Sequence, residues 1–473
     1  MSRVMKGISI GLPAFVVASG LSCDPRSFDD LEDSTWVQFA ERNDSQAPGN
    51  FGLAVTAVAV PTTQKGARFI VSSRAPAGLS QVTFDEHGSK VEQIGSSISP
   101  SLAPLVADSS GSSGNNIFTL SPFVDGTGTA AYVAGQFLDN GLGRAAVMPV
   151  GLKAGTELSK PANFSASQLF DFGIAIATGD LGTTGSTRGQ DIVVVANSVV
   201  TVYPGNGSAA RACNINRSNS TVNGGNGALH SVIIAPVKKN GHSQILVGVN
   251  AIRSGIGNNV PEILVLDESD IADGAACPET KGLIIDADGG QTASAIVVGD
   301  FDGNGNPDIA FSQTYSSATG SSTPGAVSVF MNPTGFTSGT PQKIMTTVAA
   351  DGATPALGSV LAAADLDGVA GDELIVADPG NFTVKNVTSA GQVLVLKAGN
   401  NCPGGSSANR GPLFCVLTTL YNPDPKSNGA FGQAMAVTPY PTASSPTSVL
   451  AIAETNKLWV YFRVVASATD PRQ

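Results

Sequence analysis

Charge is scarce in this chain. Only 13% of its 473 residues are Asp, Glu, Lys or Arg, and the balance is acidic, with a formal net charge of -11. Its few Lys and Arg are scattered, so there is no basic face to neutralise phosphates, and nucleic acid is excluded as a partner. The same shortage excludes an electrostatic grip on anionic lipid. Histidine is scarcer still. His87, His230 and His242 are the only three, and none belongs to a recognisable metal or nucleophile motif. GxSxG, HExxH and GxGxxG are all missing. The chain is therefore not expected to be an enzyme, although a site assembled from scattered residues in a channel leaves no motif. Beyond residue 22 no apolar run is long enough to cross a bilayer as a helix. No extended stretch has the 3.6-residue apolar spacing of an amphipathic helix.

What is present points to strands. Gly (55) and Pro (28) are abundant, and 42% of the residues are hydrophobic. The apolar runs are about four to eight residues long and rich in Val, Ile and Ala, which is an all-β pattern with many tight turns. The first 22 residues stand apart. MSRVMKGISIGLPAFVVASGLSC has two early cations, Arg3 and Lys6, then an apolar stretch from Ile8 to Leu21, then small residues. This reads as a secretory signal. Cys23 resembles the lipidated first residue of mature bacterial lipoproteins, which implies a cell-envelope protein anchored to a membrane by lipid alone. The match departs from the pattern where Gly20 stands three residues before Cys23, with Leu21 displaced by one. The alternative is ordinary cleavage nearby, giving a secreted or periplasmic chain with Cys23 as a thiol or disulfide partner. Residues 23–33 are acidic and polar and read as a tether; 467–473 read as a tail.

Four other cysteines remain, an even number in an exported chain. Three pairings are open to them. The preferred one joins Cys402 to Cys415 across a Gly-rich loop, and Cys213 to Cys277, so that each bridge staples a local loop.

One phrase recurs along the chain. It opens on a small-residue strand, often beginning FG or LG, and continues through a loop, a second apolar strand and a third of the form x-V-x-V. Clear copies start near 51, 172, 293, 357 and 431, and weaker ones near 118 and 228. The spacing is about 55 to 75 residues, and such self-similarity signals a repeat architecture. Three or four short strands make a small antiparallel sheet that cannot bury both faces alone. Seven such sheets packed radially give a seven-bladed β-propeller over residues 34–466. The last copy ends at KLWVYFRV without a fourth strand. STWVQFA (34–40) precedes the first copy and is expected to pair with the last blade and close the ring.

The carboxylates concentrate at one point. In GDFDGNGNPDIAF (299–311), Asp300, Asp302, Asn304, Asn306 and Asp308 occupy alternate positions. Hard oxygen donors at this spacing suit calcium, which takes six to eight oxygens at about 2.3–2.6 Å. Asp300, Asp302, Asn304 and Asp308 would give side-chain oxygens and Asn306 its backbone carbonyl. Gly303 and Gly305 allow the tight coil. No Glu stands at position twelve and no helices flank the loop, so this is not an EF-hand. The next copy, DLDGVAGDE, keeps Asp365 and Asp367, replaces the closing Asp with Glu373, and has Val369 where a ligand is needed. It reads as a poorer copy of the site, with Asp372 as an alternative ligand. GDLGTTGSTRGQD (179–191) keeps Asp180 and Asp191 but loses the spacing, and no tight metal is expected there.

The loop at 300–308, with Phe51-Gly52, Phe172-Gly173, Leu357-Gly358 and Phe431-Gly432, resembles the FG-GAP repeats of integrin alpha-chain propellers and their bacterial relatives. The GAP ending survives loosely as RAP (74–76) and ADP (377–379). The copies near 118 and 228 match poorly. The resemblance implies a seven-bladed propeller, structural calcium on one face and ligand-binding loops mostly on the other. It points to a binding or adhesion module for a protein or glycan. The alternatives are a scaffold subunit of an envelope assembly and, further off, a propeller hydrolase or lyase.

Overall fold

The computed structural model describes residues 37–41, 51–60, 66–74, 77–85, 88–94, 117–137, 143–150, 155–182, 189–215, 229–238, 242–252, 259–278, 282–284, 291–314, 326–331, 342–346, 357–380, 383–384, 386–398, 414–426, 429–441 and 446–462. The signal segment (1–22), Cys23, the rest of the tether, Cys402 and the tail (467–473) lie outside these residues.

The described residues form strands in seven sheets. β1 (Val37–Glu41) precedes the repeats. Blade one is β2 (Phe51–Ala57), β3 (Ala67–Arg74), β4 (Ala77–Asp85) and β5 (Gly88–Ile94). Blade two is β6 (Ile117–Val124), β7 (Ala130–Phe137), β8 (Arg144–Pro149) and β9 (Thr156–Glu157). Blade three begins with β10 (Ala175–Gly179), β11 (Asp191–Val195), β12 (Val199–Tyr203) and β13 (Arg211–Asn214). Blade four runs through β14 (Leu229–Ala235), β15 (Gln244–Ile252) and β16 (Asn259–Leu266). The chain then leaves as β17 (Ala275–Ala276), which joins blade three, and returns to blade four as β18 (Gly282–Ile284). Blade five is β19 (Gln291–Gly299), β20 (Asp308–Thr314), β21 (Ala326–Phe330) and β22 (Gln342–Thr346). Blade six is β23 (Leu361–Ala364), β24 (Glu373–Asp378), β25 (Gln392–Ala398) and β26 (Phe414–Tyr421). Blade seven is β27 (Ala434–Pro441), β28 (Pro446–Glu454) and β29 (Lys457–Tyr461). The one helical element among the described residues is a single turn, Glu268–Asp270.

Each blade is an antiparallel meander with its first strand innermost. β2, β6, β10, β14, β19, β23 and β27 touch one another in sequence, and β27 returns to β2. The fold is a seven-bladed β-propeller.

The apolar residues explain the ring. They gather not in one core but in seven clusters, one at each seam between neighbouring blades. Strand periodicity distributes them. Along β24, Leu374 and Val376 pack toward blade five, while Ile375 and Ala377 pack toward blade seven. Along β11, Ile192 and Val194 face blade two, and Val193 and Val195 face blade four. A central strand buried on both faces needs an unbroken apolar run, which is what DIVVV and ELIVAD supply.

The recurring FG dipeptide has a physical reason. Phe51, Phe172, Leu357 and Phe431 are all buried. The glycines that follow have φ of +93°, +97°, +79° and +97°, a region that side chains with a Cβ seldom adopt. Gly173 donates its N–H to Val195 O at 3.0 Å, and Gly432 to Ala453 O at 2.9 Å, within their own blades. Each also abuts the preceding blade: a Cβ on Gly173 would lie 2.4 Å from Arg144 O, and one on Gly52 2.8 Å from Ala453 Cβ. The glycine thus turns the chain into its blade and lets the neighbour come close.

The N-terminal strand closes the ring. β1 pairs antiparallel with β29, from Val37↔Tyr461 to Glu41↔Lys457, and becomes the fourth strand of blade seven. Lys457 ties the seam. Its Nζ lies 5.2 Å from the Phe39 ring centre and 5.3 Å from that of Trp459, and donates to Asp424 Oδ2 at 2.7 Å.

Blade three differs from the expected pattern of three or four strands. β17 adds a fifth, pairing parallel with β13. A disulfide between Cys213 and Cys277 fixes it, and Cys277 N–H donates to Asn214 O at 2.8 Å. This bridge does not staple a local loop. It spans 64 residues and holds the segment that leaves after β16 against the outer edge of blade three. Cys415 is also disulfide-bonded.

Gly173→Ala is expected to cost roughly 2–4 kcal/mol in urea denaturation, combining backbone strain with a steric clash. Gly207→Ala, at φ +75° but with nothing within 4 Å of its Cβ, is expected to cost only about 1–2 kcal/mol. Replacing Cys213 and Cys277 together by Ala frees a 64-residue loop and is expected to lose about 4 kcal/mol on the chain-entropy account, measured the same way.

Candidate metal centre

The turn between the first and second strands of blade five brings Asp300, Asp302 and Asp308 together. One carboxylate oxygen from each lies within 4.8 Å of the other two. Two oxygens on opposite sides of one ion, each about 2.4 Å from it, stand about 4.8 Å apart, so three acids this close could share a cation. The backbone coils to make it. Gly303 and Gly305 have φ of +71° and +78°. Asp300 Oδ1 accepts the N–H of Asn304 at 3.0 Å, and Asp300 Oδ2 that of Gly305 at 2.8 Å. The two amides continue the chain of donors and acceptors. Asn304 Nδ2 donates to Asp302 Oδ2 at 2.7 Å, and Asn306 donates to Asn304 Oδ1 through its backbone N–H at 2.8 Å and its Nδ2 at 2.7 Å. All five residues thus sit in one small coil. Asp302 and Asn304 are exposed, while Asp308, opening β20, is wholly buried.

Asp308 shows what the closing position does. Its Oδ2 accepts the N–H of Phe301 at 3.0 Å, and the Phe301 ring is buried in the seam to blade six. The same bond recurs where the second strand begins in other blades. In blade three Asp191 accepts Leu181 N–H at 2.8 Å; in blade four Gln244 accepts Val237 N–H at 3.1 Å; in blade six Glu373 accepts Leu366 N–H at 2.8 Å. All four side chains are fully buried. This hydrogen bond holds the turn against the strand whether or not a metal is bound.

The blades differ in the residue across the sheet. The pairings Ile192↔Tyr203, Ile245↔Leu266, Ile309↔Phe330 and Leu374↔Leu396 place Pro204 opposite Asp191, Asp267 opposite Gln244, Met331 opposite Asp308 and Lys397 opposite Glu373. In blade three the turn needs no cation at Asp191, whose Oδ1 accepts Gly205 N–H at 2.8 Å; Asp180 Oδ1 accepts Gly182 N–H at 2.8 Å. Asp180 and Asp191 are not brought together with a third acid among the described residues. In blade four the charges are exchanged, with Lys238 Nζ on the turn donating to Asp267 Oδ2 at 2.7 Å.

Blade six brings together Asp365, Asp367 and Glu373, again with carboxylate oxygens within 4.8 Å, but an ammonium stands among them. Lys397 Nζ is hydrogen-bonded to Asp367 Oδ2 and lies 3.1 Å from Glu373 Oε1. Burial pushes the Glu373 carboxyl up, opposed by the Leu366 N–H and by Lys397. Burial pulls the Lys397 ammonium down, but hydrogen bonds to Asp367 and Glu373 outweigh it and leave it raised. Val369, where blade five has Asn304, is exposed and donates its N–H to Asp367 Oδ1 at 2.9 Å.

Asp372 lies elsewhere. Its Oδ2 accepts the N–H of Asp300 at 2.9 Å, and its own N–H donates to Asp300 O at 2.8 Å. This reciprocal pair clamps the turn of blade six to that of blade five, and it corrects the reading of Asp372 as a ligand in its own loop. Lys397 was missed from the sequence because 24 residues separate it from Glu373, and only the strand register reveals that they face each other.

His242 sits beside the blade-four turn, where its carbonyl accepts Gln244 Nε2 at 3.0 Å; the side chains of His87 and His230 lie outside those described. No family model matches this chain, and no curated protein is detectably similar to it.

Proposed function

We propose that this chain is an exported cell-envelope protein of the FG-GAP kind, anchored by lipid on Cys23, whose propeller binds calcium structurally in blade five and presents a surface for a protein or glycan ligand. It acts as a binding or adhesion module, not as an enzyme. The observation that carries the calcium reading is the coil at 300–308, where three carboxylates converge to ion-sized separation beside two amides. Asp300, Asp302, Asn304 and Asp308 hold the ion with side-chain oxygens, and Asn306 with its carbonyl. Bound calcium supplies two positive charges that offset the mutual repulsion of the acids. Because Asp300 is clamped to Asp372, fixing this coil also stiffens the seam to blade six.

The envelope location is supported by the signal-like start and Cys23. Ligand binding is supported by the resemblance of the FG and LG dipeptides and the calcium loop to integrin-like propellers, in which ligand loops lie mostly on the face away from the metal. No transmembrane helix is required, and no described helix is long and apolar enough to be one.

Two measurements test the proposal. With calcium at about 100 times its dissociation constant, stability should rise by about 2.7 kcal/mol. For a chain of this length that is about a 3 °C rise in melting temperature over the EDTA-treated protein, and Asp302→Ala should abolish it. An equal melting temperature in calcium and EDTA would remove the metal reading. Cys23→Ser should move the protein from the membrane fraction to the soluble one and eliminate labelling by a fatty-acid probe; a membrane-bound serine variant would refute the anchor.

A further inference from the structure

We propose that Lys397 is the built-in cation of blade six: its ammonium takes the place that calcium takes in blade five, locks the 365–373 turn without metal and excludes calcium from it. The inference rests on the reading of blade five for the choice of ion, and on the geometry of blade six for the role of Lys397.

The two turns have the same length, nine residues from Asp300 to Asp308 and from Asp365 to Glu373. Both bring carboxylate oxygens of three acids within 4.8 Å of one another. Both tie the closing acid to the backbone N–H of a buried apolar residue, Phe301 or Leu366. They part at the cross-strand position. Met331 occupies it in blade five, packed against the apolar seam. Lys397 occupies it in blade six and sends its ammonium into the acids.

An ammonium and a calcium ion cannot share that space. The ammonium donates to Asp367 and pairs with Glu373 at 3.1 Å, two of the three acids that would coordinate the metal, and like charges at such separations repel strongly. The lysine has a cost and a benefit. It carries one charge instead of two and makes directed hydrogen bonds instead of a coordination sphere, yet it is covalently part of the blade and needs no ion from the medium. Val369 fits this account. A turn held by lysine does not need a side-chain ligand where blade five has Asn304, so an exposed valine is tolerated there.

Blade four supports the same logic. It pairs Lys238 on the turn with Asp267, the residue just after the third strand, at the positions equivalent to Asp367 and Lys397 but with the charges exchanged. An ion pair across these two positions is therefore used twice in this propeller, with either polarity, to fasten the turn to the third strand.

The test uses the full chain, stripped with EDTA and titrated with calcium alone by calorimetry. Asp302→Ala removes blade five from the measurement, and Lys397→Met in that background opens blade six. The expected result is no calcium bound by Asp302→Ala and one calcium per chain bound by Asp302→Ala/Lys397→Met. A double variant that binds none, or an Asp302→Ala chain that binds calcium with Lys397 in place, overturns the proposal. The reciprocal variant covers the case in which losing Lys397 unfolds blade six. Met331→Lys is expected to melt at or above the parent in EDTA and to show no calcium-dependent rise; a lower melting temperature in EDTA overturns the equivalence of the two positions. Failure of the blade-five reading is seen separately, as a parent chain that binds no calcium, and the double variant still reads blade six.

Discussion

Everything in this molecule depends on a sheet of four short strands being unable to cover both of its faces. Each blade carries apolar side chains above and below, and water is kept from them only by the blades on either side. The result is seven interblade cores instead of one, each built half by one repeat and half by the next. Burying one Leu or Val in such a seam contributes about 1.5–3 kcal/mol, but only if both halves are present. The ring must therefore close. Lys457, held between Phe39, Trp459 and Asp424, sits where the first strand of the fold meets the last.

This dependence explains how much could be read from the chain. The seams demand apolar alternation on both faces of every central strand, so the strands announce themselves as unbroken Val, Ile and Ala runs, and their recurrence counts the blades. Poor copies near 118 and 228 still make blades, because a seam needs apolar residues of suitable size and not a particular motif. The FG dipeptide was visible for an equally local reason: a buried ring followed by a left-handed glycine is a two-residue requirement. What the chain concealed were contacts between distant residues. β17 is two alanines long and carries no strand signal, so the bridge from Cys213 to Cys277 looked like a loop staple when it fastens a returning segment to the edge of blade three. Lys397 is one lysine in an apolar strand until the register sets it opposite Glu373. Asp372 adjoins the loop acids in sequence, yet its carboxylate turns to the neighbouring blade.

The turns after the innermost strands of blades three to six form a natural series. The scaffold is constant, with a buried polar side chain opening the second strand and accepting the N–H of a buried apolar residue. Upon it the chain has placed a backbone donor beside Asp191, an exchanged ion pair beside Gln244, a coil of three converging carboxylates around Asp308, and an ammonium among the acids around Glu373. The differences reside in the turn residues and in the residue across the sheet. Charge chemistry changes from turn to turn while the apolar seams between the blades are kept.

The closing pair also sets an order in time. Val37 and Tyr461 are partners, yet nearly the whole propeller is made between them. The segment that completes blade seven is the first part of the fold to leave the ribosome and, in an exported chain, the first to arrive. It must wait unpaired until β29 follows, and bringing such distant segments together is slow. A chain cut short anywhere before β29 holds an orphan strand at one end and an open seam at the other. Completion of synthesis thus becomes a condition of folding, and an unfinished molecule displays to proteases and chaperones the two surfaces that the finished one hides.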